Sequence, residues 1–216
     1  MQESFFMKKI KAIIFDMDGV LIDAKEWHYQ SLNRALKLFG LEISRYDHLS
    51  TFDGLPTRKK LEMLNMEGGL SEKLYDFINN LKQQYTIEMT HQLCHPVFYH
   101  QYALARLSKD GYQLAVCSNS IRDTIKVMLS KSGLLQFIEF YLSNQDVANP
   151  KPDPEIYNMA IEKLRLAPKD CLILEDNEHG IQAVERCGAN LMQIDEVSEV
   201  NYINIIRKIK LIEGKC

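Results

Sequence analysis

Two carboxylates, Asp16 and Asp18, stand at the end of an apolar run in KAIIFDMDGVLID, Lys11 to Asp23. Burying carboxylates is costly unless something pairs with them, so the run calls for partners. Three other strand-like runs end in complementary groups. Ser118, Asn119 and Ser120 follow LAVC, Lys151 lies in SNQDVANPKPDPEIY, and Glu175, Asp176 and Asn177 follow CLIL. One polar strand end is what any wet loop provides. Four ends that supply acids, small hydroxyls, a lysine and acids again fit phosphoryl transfer. Carboxylates at two strand ends can hold a hard divalent cation, and Mg²⁺ favours few protein oxygens plus substrate phosphate. One carboxylate can attack phosphorus. A second, two residues on, can protonate the leaving oxygen and then deprotonate water. A serine hydroxyl, backbone amides and a lysine can stabilise the equatorial oxygens.

These groups need a scaffold that gathers strand ends. From about Pro96 onward, short apolar runs alternate with amphipathic patterns. Strands are expected at 114–117, 140–142, 171–174 and 190–194, and helices at about 100–109, 121–132, 154–165 and 178–187. Asp153 as N-cap, Pro154 and Glu155 form a helix start signal. Gly111, Gly133 and Gly188 sit where helices should stop. Strands that are apolar throughout and alternate with helices argue for a parallel sheet covered on both faces. The opening strand, Ile10 to Phe15, has the same character. In open parallel sheets, ligands bind outside the carboxyl ends of the strands. The segment 22–95 differs, with helical periodicity and almost no strand candidates. Helices are expected over Asp23 to Phe39, Thr57 to Asn65 and Ser71 to Thr90. The expected fold is α/β, a Rossmann-like three-layer parallel sheet core (1–21 and 96–216) with an inserted helical cap (22–95).

The chain has 216 residues, 46% hydrophobic and 25% charged, an ordinary soluble composition. A formal net charge of −3 gives no reason to expect nucleic acid or an anionic membrane as partner. No apolar run approaches a bilayer span. The N-terminus does not read as a secretory signal, and Met7 is an alternative start. The five cysteines are odd in number and lack C-x-x-C spacing, so a reducing, cytoplasmic setting is the default. Oligomeric state stays open, a monomer being compatible.

The pieces FDMDGVLID, CSNS, KPDPEIY and LEDNEHGIQAV, in that order, span essentially the whole chain. Together they resemble the haloacid dehalogenase-like hydrolase superfamily, in its branch with a helical cap after the first strand. The resemblance implies that Asp16 is the nucleophile and Asp18 the general acid/base. It implies that Ser118 and Lys151 hold the phosphate, with Asn119 as helper. Mg²⁺ would be bound by Asp16, Asp176 and the Asp18 backbone carbonyl, with Glu175 ligating directly or through water. Relatives that cleave carbon–halogen or carbon–phosphorus bonds lack an acid at the position of Asp18, so phosphate esters are favoured. The expected activity is a phosphatase acting on a small phosphorylated metabolite, a sugar phosphate first. The alternatives are a β-phosphoglucomutase-like phosphomutase and a non-catalytic binding relative.

Substrate choice is expected from the cap. His28 shares a helical side with Leu32, which fits a packed histidine; cap-bearing sugar phosphomutases also carry a histidine at this spacing. In GLPTRKKLEML, Thr57 is a candidate cap residue, with Arg58, Lys59 and Lys60 in the first turn. Exposed cations there oppose the helix dipole by about 0.3–1 kcal/mol each. Arg58 is either part of a solvated basic patch or faces the site to meet an anionic substrate.

Overall fold

The computed structural model describes residues 9–52, 54–66 and 70–214. The alternative start at Met7 and the last cysteine, Cys216, lie outside them. Five parallel strands, β1 (Ala12–Phe15), β2 (Gln113–Cys117), β3 (Phe140–Leu142), β4 (Cys171–Glu175) and β5 (Asn190–Gln193), form one sheet in the order β3-β2-β1-β4-β5. The chain winds outward from β1 in one direction through β2 and β3. It then returns to β4 on the other side of β1. The strand order therefore reverses between β1 and β4, which is where open α/β sheets place their ligand crevice. Phe15 is level with Val116 on one side and Leu174 on the other, so the three central strands end together.

Side chains on a strand alternate between faces, and both faces here are buried. Ile13, Phe15, Leu114, Val116, Leu172 and Leu174 pack with residues of α5 (Phe98–Lys109), α6 (Arg122–Lys131) and α9 (Tyr202–Glu213). Ala12, Ile14, Ala115, Cys117, Cys171 and Ile173 pack with α7 (Glu155–Leu164) and α8 (Glu178–Cys187). Each large side chain withdrawn from water in these layers contributes about 1.5–3 kcal/mol.

The helical segment between β1 and β2, expected as a cap, has its own apolar cluster, which includes Leu32, Leu36, Phe52, Leu61, Tyr75 and Ile78. It is built from α1 (Lys25–Lys37), α2 (Arg45–Asp47) continuing into a π-helical turn (His48–Phe52), α3 (Thr57–Met66), a 3₁₀ turn (Glu72–Leu74) and α4 (Tyr75–Leu93). Helices α1 and α4 carry most of this packing: Leu32, Ala35 and Leu36 on one meet Tyr75 and Ile78 on the other.

Several boundaries depart from the sequence expectations. β1 opens at Ala12 rather than Ile10, because the Ile10 N–H turns to the Glu213 carboxylate at 3.3 Å. Helix α1 starts at Lys25 rather than Asp23, after a turn closed by Ala24 N–H to Ile22 O at 2.9 Å. Thr57 lies inside α3 rather than capping it, since Lys60 N–H bonds to Pro56 O at 3.2 Å. Asp153 precedes the cap position, yet its carboxylate accepts the Glu155 N–H at 3.0 Å, so the start signal acts one residue late. The helical stretch 45–52 was not expected. Its signal was present in SRYD: Ser44 Oγ accepts the Asp47 N–H at 3.1 Å and bonds the Asp47 carboxylate at 2.5 Å, a capping arrangement.

Candidate active site

Alternation along β1 puts Asp16 on the same face as Ala12 and Ile14. Along β4 it puts Glu175 with Cys171 and Ile173. These two acids therefore emerge on the α7–α8 side at adjacent strand ends. Lys151 reaches between them: its Nζ donates to Asp16 Oδ1 at 2.6 Å, Glu175 Oε1 at 2.5 Å and the Cys117 carbonyl at 2.9 Å. The Tyr157 hydroxyl, from α7, donates to the same Glu175 oxygen. The other Glu175 oxygen accepts the Asp176 N–H at 3.3 Å. Gly180 on α8 makes room for this carboxylate; a Cβ there would lie 2.0 Å from Glu175 Cδ.

All of these groups are buried, and the charges decide their protonation. Burial pushes the Asp16 carboxyl well above the usual range. Lys151 opposes that shift, while Glu175, Asp176 and Asp18 add to it by like-charge repulsion. Burial works against a charged Lys151, but the Asp16 and Glu175 carboxylates outweigh it and hold the ammonium above its ordinary value.

Asp18 points away from this group, toward the cap. Its Oδ2 accepts from Ser120 Oγ at 2.8 Å and lies 3.5 Å from Ser118 Oγ. Its Oδ1 lies 3.0 Å from His28 Nε2, close but off the hydrogen-bonding line. The other ring nitrogen, Nδ1, is 3.0 Å from Lys82 Nζ. When Lys82 is an ammonium, which only donates, Nδ1 accepts and the ring proton sits on Nε2, facing Asp18. Burial raises the Asp18 carboxyl, but His28, Ser120 and Lys82 together bring it below its ordinary value. Burial and then Lys82 push the His28 imidazole below its ordinary value, against the pull of Asp18.

Asp16, Glu175 and Asp176 each offer a carboxylate oxygen within 4.8 Å of the others. This is a hard donor set of the kind Mg²⁺ takes. Asp176 is almost wholly buried, and Lys25 Nζ, at the start of α1, lies 2.6 Å from its Oδ2. Gly19, with φ +94°, gives that pair its space: a Cβ would sit 2.1 Å from Asp176 Oδ2. The cluster thus fits a cation chemically, and Asp16 and Asp176 are the members best placed to hold one. Both Glu175 oxygens already have protein partners, which suits a ligand acting through water.

The structure brings Asp16, Asp18, Ser118, Lys151, Glu175 and Asp176 around one cavity of about 150 Å³. Asn119, Arg58 and His28 line the same cavity. Asn119 spends its amide on backbone: Oδ1 accepts the Lys151 N–H at 3.1 Å, and Nδ2 donates to Gly54 O at 3.0 Å and Lys151 O at 3.3 Å. These bonds tie the loop that carries Lys151 to the loop at Gly54. Arg58 lines the cavity rim, but its guanidinium is largely exposed and lies 3.6 Å from Glu62 and 3.7 Å from Asp76. His28 turns its ring to Asp18 in the cavity instead of packing on the apolar side of α1.

Lys82, Lys25 and Tyr157 were not expected in the site, and Ser120 was expected at a strand end there without a role of its own. Ser120 was readable, being part of CSNS at a strand end. The two lysines lie on helices, where a lysine reads as a solvated side chain, and nothing local marks them.

The carboxylate cluster and the buried lysine thus stand together at the switch point of an open α/β sheet. Residues 13–194 match the family model described as haloacid dehalogenase-like hydrolase, and the chain belongs to that family. It is 29% identical over 190 residues to a Bacillus velezensis protein named pyrophosphatase PpaX, spanning 84% of this chain and 81% of that one. It is 25% identical over 179 residues to a Thermotoga maritima phosphorylated carbohydrates phosphatase, spanning 83% and 82%. Its fold resembles that of β-phosphoglucomutase from Clostridium difficile, with TM-score 0.81, 21% identity and coverage of 95% and 99%. No helix among the described residues is long and apolar enough to cross a membrane.

Proposed function

We propose that the chain is a Mg²⁺-dependent phosphatase that hydrolyses a small phosphorylated metabolite through an aspartyl-phosphate on Asp16. The observation that carries this reading is the convergence of Asp16, Glu175 and Asp176 within 4.8 Å, beside a lysine that bridges two of them.

Asp16 attacks phosphorus with a carboxylate oxygen, and the bond to the ester oxygen breaks. Lys151 and Ser118 hold the equatorial oxygens as their charge redistributes. Asp18 delivers a proton to the departing oxygen. The arriving phosphate dianion raises the proton affinity of Asp18 by like-charge repulsion, which favours the protonated form needed for this step. In the second half, Asp18 takes a proton from water, the water oxygen attacks phosphorus, and the Asp16–phosphate bond breaks to release phosphate. His28 and Ser120 hold Asp18 in place for both transfers. A bound Mg²⁺ would offset carboxylate repulsion and allow the anionic nucleophile to approach an anionic phosphate. Asp16, Asp176 and the Asp18 backbone carbonyl would hold it. Residues 22–95 act as a cap domain that closes over the substrate, and residues outside that range form the catalytic core.

The test is phosphate release from a broad panel of phosphorylated metabolites with Mg²⁺, using Asp16→Asn as the blank. Release by the wild type and none by the variant supports the reading; equal release by both overturns the covalent route. A hexose 1-phosphate belongs in the panel, because conversion to the 6-phosphate in place of free phosphate identifies a phosphomutase.

A further inference from the structure

Two lysines meet the carboxylate cluster, and they meet it differently. Lys151 is enclosed: its side chain is 4% exposed, and its Nζ is shared among Asp16, Glu175 and the Cys117 carbonyl. Lys25 meets Asp176, with Nζ 2.6 Å from Oδ2. The Lys25 side chain is 36% exposed, whereas that of Asp176 is 2% exposed. This pair therefore joins an acid that cannot reach water to a cation that can.

Helix position does not favour a lysine here. Lys25 is the first residue of α1, where the positive end of the helix dipole opposes a cation. Its stem is led to Asp176 across Gly19: a Cβ there would fall 2.7 Å from Lys25 Cε and 2.1 Å from Asp176 Oδ2. The bare backbone at Gly19 and the flexible four-carbon stem together bring the ammonium to an acid of the cluster that suits a divalent cation. A buried carboxylate needs a positive partner, and an ammonium or a divalent cation can each be one. Side by side on one carboxylate, the two cations repel.

We propose that Lys25 is an exchangeable counter-ion of the cation site. Its ammonium neutralises Asp176 and yields to a divalent cation by turning out to solvent. It thereby weakens cation binding while keeping the buried acid paired throughout. The inference rests on the reading of Asp16, Glu175 and Asp176 as a cation site, and goes beyond it by assigning a competitor from the helical insert. Lys151 is no candidate for this part, because it is enclosed and two carboxylates hold it.

The test measures Mg²⁺ binding by calorimetry on the wild type, Lys25→Met and Lys25→Arg, with phosphate release by the wild type measured separately. Lys25→Met should bind Mg²⁺ about tenfold or more tightly than the wild type, because repulsion between two cations a few ångströms apart is removed, and Lys25→Arg, which keeps the charge, should stay within about threefold of the wild type. In the presence of a chelator, Lys25→Met should melt below the wild type, and saturating Mg²⁺ should raise its melting temperature by the larger amount. Equal Mg²⁺ binding by Lys25→Met and the wild type overturns the competition. Weaker binding by Lys25→Met also overturns it, since that marks a lysine that only positions Asp176. A second measurement needs no Lys25 variant. Reductive methylation of Lys25 in the wild type, followed by peptide mass spectrometry, should speed up severalfold at saturating Mg²⁺, because the released amine no longer pairs with Asp176. An unchanged labelling rate overturns the exchange. Mg²⁺ binding to none of the proteins overturns the cation site and the competition together. Tighter binding by Lys25→Met with no phosphate release by the wild type would sink the phosphatase reading and leave the competition standing.

Discussion

Asp16 and Asp18 are two residues apart and do opposite things because a strand alternates its faces only while it remains a strand. Asp16 continues the alternation into the Lys151 and Glu175 group, whereas Asp18 lies beyond the strand and turns to Ser120 and His28. Asp16→Asn keeps the size and removes the proposed nucleophile, so kcat should fall by about a thousandfold or more. Circular dichroism and the melting temperature should show an intact fold. A second expectation concerns Gly180. A methyl group there would overlap Glu175 at 2.0 Å from Cδ, and that carboxylate cannot retreat without losing Lys151 and Tyr157. Gly180→Ala should destabilise the fold by about 1–3 kcal/mol, the usual scale of overpacking. It should also lower kcat/KM by displacing Lys151, and both changes are read in one thermal melt and one steady-state assay.

At the level of elements, stability and chemistry separate cleanly. Helix α9 lies against the sheet face remote from the catalytic acids, and Asn201 caps it by accepting the Asn204 N–H at 3.0 Å. Removing that cap with Asn201→Ala should cost about 1 kcal/mol. In a chain of this size that lowers the melting temperature by about 2–4 °C, with kcat/KM unchanged. The strands and helices that alternate after residue 96 were legible because each is a short, locally patterned unit with a period of 2 or 3.6. Where the reading slipped, at Ile10, Thr57 and Asp153, the boundary was set by one hydrogen bond whose acceptor local pattern does not fix. The backbone partners of Asn119, at Lys151 and Gly54, are likewise fixed by the tertiary structure and not by local pattern.

For the molecule as a whole, the cap rests on the core through very close contacts. Gly54 O accepts from Asn119, and a Cβ on Gly54, itself at φ +71°, would come within 2.4 Å of Asn177 Oδ1. Gly54→Val should therefore hold the cap off the strand ends and raise KM for the substrate, while the melting temperature changes little; an unchanged KM would show that closure does not depend on this contact. Removing divalent ions with a chelator should abolish phosphate release. Mg²⁺ should restore it better than Ca²⁺, because the larger ion prefers more oxygen ligands than this carboxylate cluster supplies.

Strand periodicity, helix signals and the acids, hydroxyls and lysine at four strand ends were enough to point to one site at the edge of a parallel sheet, and the structure gathers those groups around one cavity. That information is local: a strand ends where its apolar run ends, and the polar residues just past that end must face the crevice. The meaning of the cap lysines is different in kind. Lys82 stands on a helix 54 residues beyond its partner His28, and its own neighbours in sequence do not say whether its side chain meets water or a closed cavity. That depends on which side of the helical insert turns toward the sheet, a choice made by the packing of α1 against α4 and by the seating of Gly54 on Asn119 and Asn177. Burial decides what such a lysine meets, and burial is a property of the assembled fold.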